Sequence, residues 1–210
     1  MQTVTELAIA RNAAVFSRPE VACWVRGTPQ RQFGLLKRAV KAGETVRVHR
    51  GLYCLSDKLL RHKIDPLALA QRVYGPSYVS LETALAYHGW IPEAVYAITS
   101  VSLDRSREFD TPLGRFSYNH VPQATFYAEV SRVEAGGGSF LIASPLKALA
   151  DYAYVHRVNW SSARPVVESL RVDEQLLAGL EVEAFDRLTA NYTSRRVRRF
   201  LEGLRKDLRP

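Results

Sequence analysis

The chain has 210 residues, 47% of them hydrophobic, enough for one large domain or two small ones with packed cores. Its 29 Lys+Arg against 21 Asp+Glu give a net charge of +8, which points to an anionic partner without saying which. No stretch approaches the roughly 20 apolar residues that span a bilayer, and the N-terminus lacks the basic start and apolar run of a secretory signal, so a cytoplasmic protein with no membrane partner is expected.

The charge is unevenly spread. Residues 1–63 carry 12 basic against 4 acidic side chains, 64–192 carry 10 against 15, and 193–210 carry 7 against 2. Basic ends around an acidic middle place the anion-binding work at the ends. Cys23 and Cys54 have no metal-like spacing and are expected as reduced core thiols.

Taken in chain order, Thr3–Phe16 is alanine-rich with Leu7, Ala10 and Ala14 on one face and predicts a first helix. Ser17 before Pro19 caps a second, which closes near Gly27. Thr28 caps a third with Pro29 at its first position, and the run ends at Ala42 before Gly43. TVRVH then alternates apolar and polar residues, and Arg50-Gly51 turns the chain into LYCL, a hairpin pattern. Three helices followed by a hairpin is the order of a winged helix-turn-helix, with a boundary near residue 60. Beyond it, Asp65-Pro66 and Ser80 open two more helices. β-rich runs follow through YAITSVSLD, FSYNHV, FYAEVSRVE and FLIAS, with a hairpin at Gly136-Gly137-Gly138. Ser144-Pro145 then caps LKALADYAYVH, and the last 50 residues read as helices, the final one capped by Thr193.

On a helical wheel of the third helix, Phe33, Leu36 and Val40 form the inward face, flanked by Leu35 and Ala39. Gln30, Arg31, Gly34, Lys37, Arg38 and Lys41 share the opposite arc, which carries four positive charges and no acid. A solvated helix face usually mixes signs, so a one-sign arc fits double-stranded DNA. Gln30 and Arg31, near the helix start, would read base edges. Thr28, Lys37, Arg38 and Lys41 would hold phosphates, Gly34 would admit a close backbone, and Arg47, His49 and Arg50 would reach from the hairpin. The final helix divides similarly. Val197, Phe200, Leu201, Leu204 and Leu208 form an apolar stripe, and Arg195, Arg196, Arg198 and Arg199 a secondary basic surface that serves an external anion or an acidic neighbour.

Catalysis is not expected. His88, His120, His156, Asp104, Asp110 and Asp151 are candidate acids, bases or ligands, but no paired-histidine motif, P-loop, GxSxG or CxxC accompanies them. His88 is expected to cap helix carbonyls, and Lys147 with Asp151 to form a routine side-chain pair. No metal or cofactor is expected.

HRGLYCL at 49–55, SLETALAYHGWI at 80–91 and LIASPLKALADY at 141–152, with TPLGRFSYNHV between the last two, resemble the AbiEi family of type IV toxin-antitoxin and abortive-infection antitoxins. Leu146 stands where that family often has Glu, and Ala150 where it has a larger apolar residue. The resemblance implies an α+β protein: a winged helix-turn-helix DNA-binding domain over 1–60, then an AbiEi-like α/β antitoxin domain over 61–210 with a helical C-terminus. It also implies repression of the protein's own operon through upstream inverted repeats, by a monomer or weak dimer, with Arg31, Lys37, Arg38, Arg47 and Arg50 on the DNA-facing surface. The alternative within the same family is a protein-binding antitoxin that neutralises a nucleotidyltransferase-like toxin by direct contact.

Overall fold

The computed structural model describes residues 3–60, 62–92, 95–135 and 138–208. These form ten α-helices, nine strands and two sheets, a mixed α and β architecture.

The first helix is shorter than expected. Thr3 and Glu6 cap α1 (Val4–Ala10) reciprocally, but Asn12 takes a φ of 53° and the chain turns into strand β1 (Val15–Ser17). The strand wins because it buries Phe16 completely and leaves Ser17 extended, ready to cap α2 (Arg18–Trp24) in a capping box with Glu20. Helix α3 (Pro29–Lys41) begins and ends where the sequence places it, with Thr28 as N-cap and Gly43 at φ 68° beyond the C-cap. Strands β2 (Thr45–His49) and β3 (Leu52–Leu55) complete a three-stranded antiparallel sheet of order β1-β3-β2.

Strand alternation gives this small sheet two covered faces. Phe16, Tyr53 and Leu55 join Val4, Leu7, Val21, Leu35 and Leu36 in a core beneath the three helices. Val48, Leu52 and Cys54 turn the other way and belong to the core of the rest of the chain.

After a 3₁₀ turn at Asp57–Leu59, Asp65 caps α4 (Pro66–Val73). A six-stranded sheet of order β6-β7-β5-β4-β9-β8 follows, built from β4 (Ser77–Val79), β5 (Ala97–Ser102), β6 (Arg107–Thr111), β7 (Gly114–His120), β8 (Val130–Ala135) and β9 (Gly138–Ala143). The β8–β9 hairpin lies where expected, although Gly136 and Gly137 themselves fall outside the described residues. Strand β6 is a polar edge and β4 has only three residues, so neither carried a strong strand signal. The sheet separates two sets of helices. Tyr118 donates from β7 to the Ala70 carbonyl of α4. On the other face Thr99 bonds Thr83 of α5 (Leu81–Tyr87), and Tyr78 reaches Asp151 of α6 (Pro145–Val155). Beyond α6 lie α7 (Arg164–Leu170), α8 (Glu174–Ala178), α9 (Val182–Asn191) and α10 (Arg195–Leu208). The first backbone bond of α10 runs from Arg198 N to Ser194 O, which makes Ser194 rather than Thr193 the residue before the helix. Its stripe of Val197, Phe200, Leu201 and Leu204 is buried, and α10 packs on α6 and α9.

Candidate nucleic-acid interface

The buried face of α3 is Leu35, Leu36 and Ala39, about a quarter-turn from the expected stripe, and Phe33 (51% exposed) and Val40 (37%) stand at its rim. The wheel gave the apolar residues; contacts with α1, α2 and the small sheet chose among them. Gln32 takes part in that choice: its amide donates to the Val25 carbonyl at 3.0 Å and pins the turn between α2 and α3. The rotation leaves the cationic arc outward. Gln30, Arg31, Lys37, Arg38 and Lys41 are exposed, and Gly34 sits half-buried among them. Arg38 and Lys41 in the last turn complement the helix dipole. A methyl group at Gly34 would meet only the tip of Arg38, at 3.9 Å, so packing does not require glycine there. Thr28 is exposed at the helix start, its hydroxyl accepting from Arg31 N at 3.3 Å.

Phe33 was missed as a surface residue. Its ring lies beside the arc under the Arg18 guanidinium, 5.8 Å from the ring centre. The guanidinium covers part of a ring that the packing of α3 leaves half in solvent.

The hairpin divides its predicted residues. Arg47 and Arg50 are exposed, with Arg47 Nε reaching the His49 carbonyl at 3.4 Å. His49 departs from the expectation. The register shifts between Arg47 and His49, so Arg47 pairs with Tyr53 but His49 with Leu52, on the face turned toward the larger sheet. The imidazole packs 5.4 Å from Phe109, and its buried Nε2 has no hydrogen-bond partner among the described residues. It belongs to the joint between the two regions, with the Glu20–Arg72 ion pair at 2.5 Å. Burial raises the Glu20 pKa, but bonds from Ser17 and Arg72 outweigh it and hold the carboxyl below its ordinary value.

The second basic surface is not brought to the first. Arg195, Arg198 and Arg199 are exposed on α10, across the large sheet from α3. Arg196 leaves that surface: half-buried, it donates to the Tyr154 carbonyl at 3.0 Å, tying α10 to the end of α6.

The candidate acids and bases are dispersed. His88 Nε2 contacts the Ala143 carbonyl at 2.9 Å, in β9 rather than in its own helix. His156 pairs with Glu82 at 2.7 Å, and Asp110 approaches Arg115 at 3.7 Å. Lys147 and Asp151 are far from a routine pair, for both are 0% exposed. Asp151 accepts from Tyr78 (3.0 Å), Ser80 (2.7 Å) and Tyr192 (2.6 Å). Lys147 donates to Gln123 (2.5 Å) and Tyr192 (3.4 Å), and its ammonium lies 5.1 Å from the Tyr78 and Tyr192 rings. Burial pushes the Lys147 pKa down, opposed by the charges of Asp151 and Glu129. Ser80 therefore spends its hydroxyl on Asp151 and makes no side-chain cap for α5. The knot joins β4, α6 and the end of α9. Leu146 and Ala150, where the family pattern has larger or charged residues, are buried beside it.

Of the two thiols, Cys54 is buried, its pKa pushed up to about 11 by burial and the nearby Asp57 charge; Cys23 is exposed, contrary to expectation. Among the described residues no helix is long and apolar enough to cross a membrane. No protein-family model and no curated protein matches the chain.

Proposed function

We propose that this chain is a DNA-binding transcriptional regulator, the antitoxin of a type IV toxin-antitoxin system, which represses its own operon through upstream inverted repeats. The observation that carries the DNA-binding part is the arc of α3. Lys37, Arg38 and Lys41 are exposed on one helix face and make no ion pair with any described residue. In this reading α2, the turn pinned by Gln32, and α3 are a helix-turn-helix, and the β2–β3 hairpin is its wing. The element order and the sheet order β1-β3-β2 support that assignment. Gln30 and Arg31 in the first turn reach base edges, Lys37, Arg38 and Lys41 hold phosphates, and Arg47 and Arg50 extend the contact from the wing. The antitoxin part rests on the resemblance carried by residues 49–55, 80–91 and 141–152.

A gel-shift assay with the upstream intergenic DNA tests the reading. Lys37→Glu should abolish the shift while the circular dichroism spectrum and melting temperature stay unchanged. Lys37→Ala should lower the magnitude of the log–log salt slope by about 0.9. Unaltered binding by the charge-reversed protein would sink the assignment.

A further inference from the structure

The final helix has no role in that reading, and its position gives it one. At helical spacing, Arg195, Arg198, Arg199, Glu202 and Lys206 lie on the face opposite the buried stripe, and all five are exposed. The line from Arg195 to Lys206 covers roughly 16 Å of helix axis. Arg157 is exposed at the end of α6, three residues past the Tyr154 carbonyl that receives Arg196, and so adds to the same end.

Two explanations for such a stripe were open in the sequence, an internal acidic neighbour or an external anion. The structure narrows them. Arg205 does find an internal carboxylate, Asp186 of α9. Arg195, Arg198, Arg199 and Lys206 make no ion pair or hydrogen bond through their side chains with any described residue. Three arginines in and just beyond the first turn oppose the positive end of the helix dipole, an arrangement that an external anion relieves.

The layering then separates this stripe from α3. On one face of the large sheet the small sheet packs against β6, with α3 on its far side; on the other face lies α6, with α10 packed on it. Layers pack at intervals of roughly 10 Å, so one straight duplex lying along α3 does not reach α10. We infer that the α10 stripe is a second, sequence-independent docking surface for the phosphate backbone of duplex DNA, so that one molecule holds two duplex segments at once. The inference rests on the proposed role of α3 for the first duplex. A convex helix face with four cations around one acid, Glu202, fits a polyanionic backbone and offers no pocket for a small anion.

A bridging assay tests it. A bead-immobilised duplex carrying the intergenic sequence is loaded with protein, and retention of a second, labelled duplex of unrelated sequence is measured beside an ordinary gel shift. The intact protein should retain the second duplex. Arg195→Glu/Arg199→Glu should cut retention at least tenfold and leave the gel shift on the first duplex intact; Arg195→Lys/Arg199→Lys should keep most of it. Light scattering should show the same molar mass for all variants. A gel shift without retention, or retention that survives the double reversal, overturns the inference and leaves the role of α3 standing. Loss of both in the intact protein overturns the two together.

Discussion

Helices α3 and α6 start from the same local recipe, a hydroxyl cap (Thr28, Ser144) followed by proline, and both carry charge in mid-helix. On α3 the lysines and arginines face solvent; on α6, Lys147 and Asp151 are wholly buried and held by three hydroxyls and an amide. The difference lies in what covers each helix. One face of α3 rests on α1, α2 and the small sheet, whereas α6 is enclosed by α5, β9, α9 and α10. Exposed charge contributes almost nothing to folding and is available for a ligand, whereas buried charge must be satisfied inside and becomes a joint.

The sharpest way to break this comparison is to remove the Asp151 carboxylate. Asp151→Ala strands three hydroxyls and takes from the buried Lys147 ammonium the stronger of its two charge partners, leaving only Glu129, so chemical denaturation should register a loss of about 3–5 kcal/mol. A loss below about 1 kcal/mol would mean that the knot is no joint. Gly203→Ala tests the same region through packing, because a methyl group there would lie 2.0 Å from the Ser161 carbonyl oxygen. The 158–163 segment or α10 must shift, and the melting curve should report about 1–3 kcal/mol of destabilisation.

On the exposed side the sign reverses. Gly34→Ala has open space, so it should stabilise α3 by about 0.5–1 kcal/mol, yet weaken DNA binding if the backbone approaches closely there. Stability and gel shift measured on the same variant separate the two effects.

The Glu82–His156 pair gives a smaller, pH-dependent effect. Burial alone would push the Glu82 carboxyl up, but the bonds from His156 and the backbone outweigh it and hold its pKa below the ordinary value. A depressed carboxylate stabilises the fold above its unfolded pKa of about 4.3 and loses that contribution as pH falls through the folded value. The stability gap between the intact protein and Glu82→Gln should therefore be present at pH 7, stay under about 1 kcal/mol, and shrink below about pH 4. A gap that widens in acid would reverse the sign. Smallest of all, Lys37→Glu should move stability by no more than about 0.5 kcal/mol, the counterpart of its large expected effect on binding.

Much of this was legible in the residues. The caps Ser17, Thr28, Asp65 and Ser144, the stop at Gly43 and the Arg50-Gly51 hairpin all act within a few positions, so local chemistry determines them. The one-sign arc of α3 was legible for the same reason, since helical spacing alone brings Gln30, Arg31, Lys37, Arg38 and Lys41 to one side. Other features depended on distant partners. Phe16 became a strand residue because its partner in β3, Tyr53, comes from far along the chain. A bulge turned His49 inward, Phe33 was left exposed by the neighbours of α3, and the i,i+4 spacing of Lys147 and Asp151 hid a knot completed by Tyr78, Ser80, Gln123 and Tyr192.

By itself, then, the sequence determined where helices begin and end and which residues share a face, because hydrogen-bond satisfaction and side-chain period are local. Only the tertiary structure decided which faces are covered, and with them which charges are joints and which are surfaces. Burial is a property of the neighbours a segment acquires, and those come from anywhere in the chain.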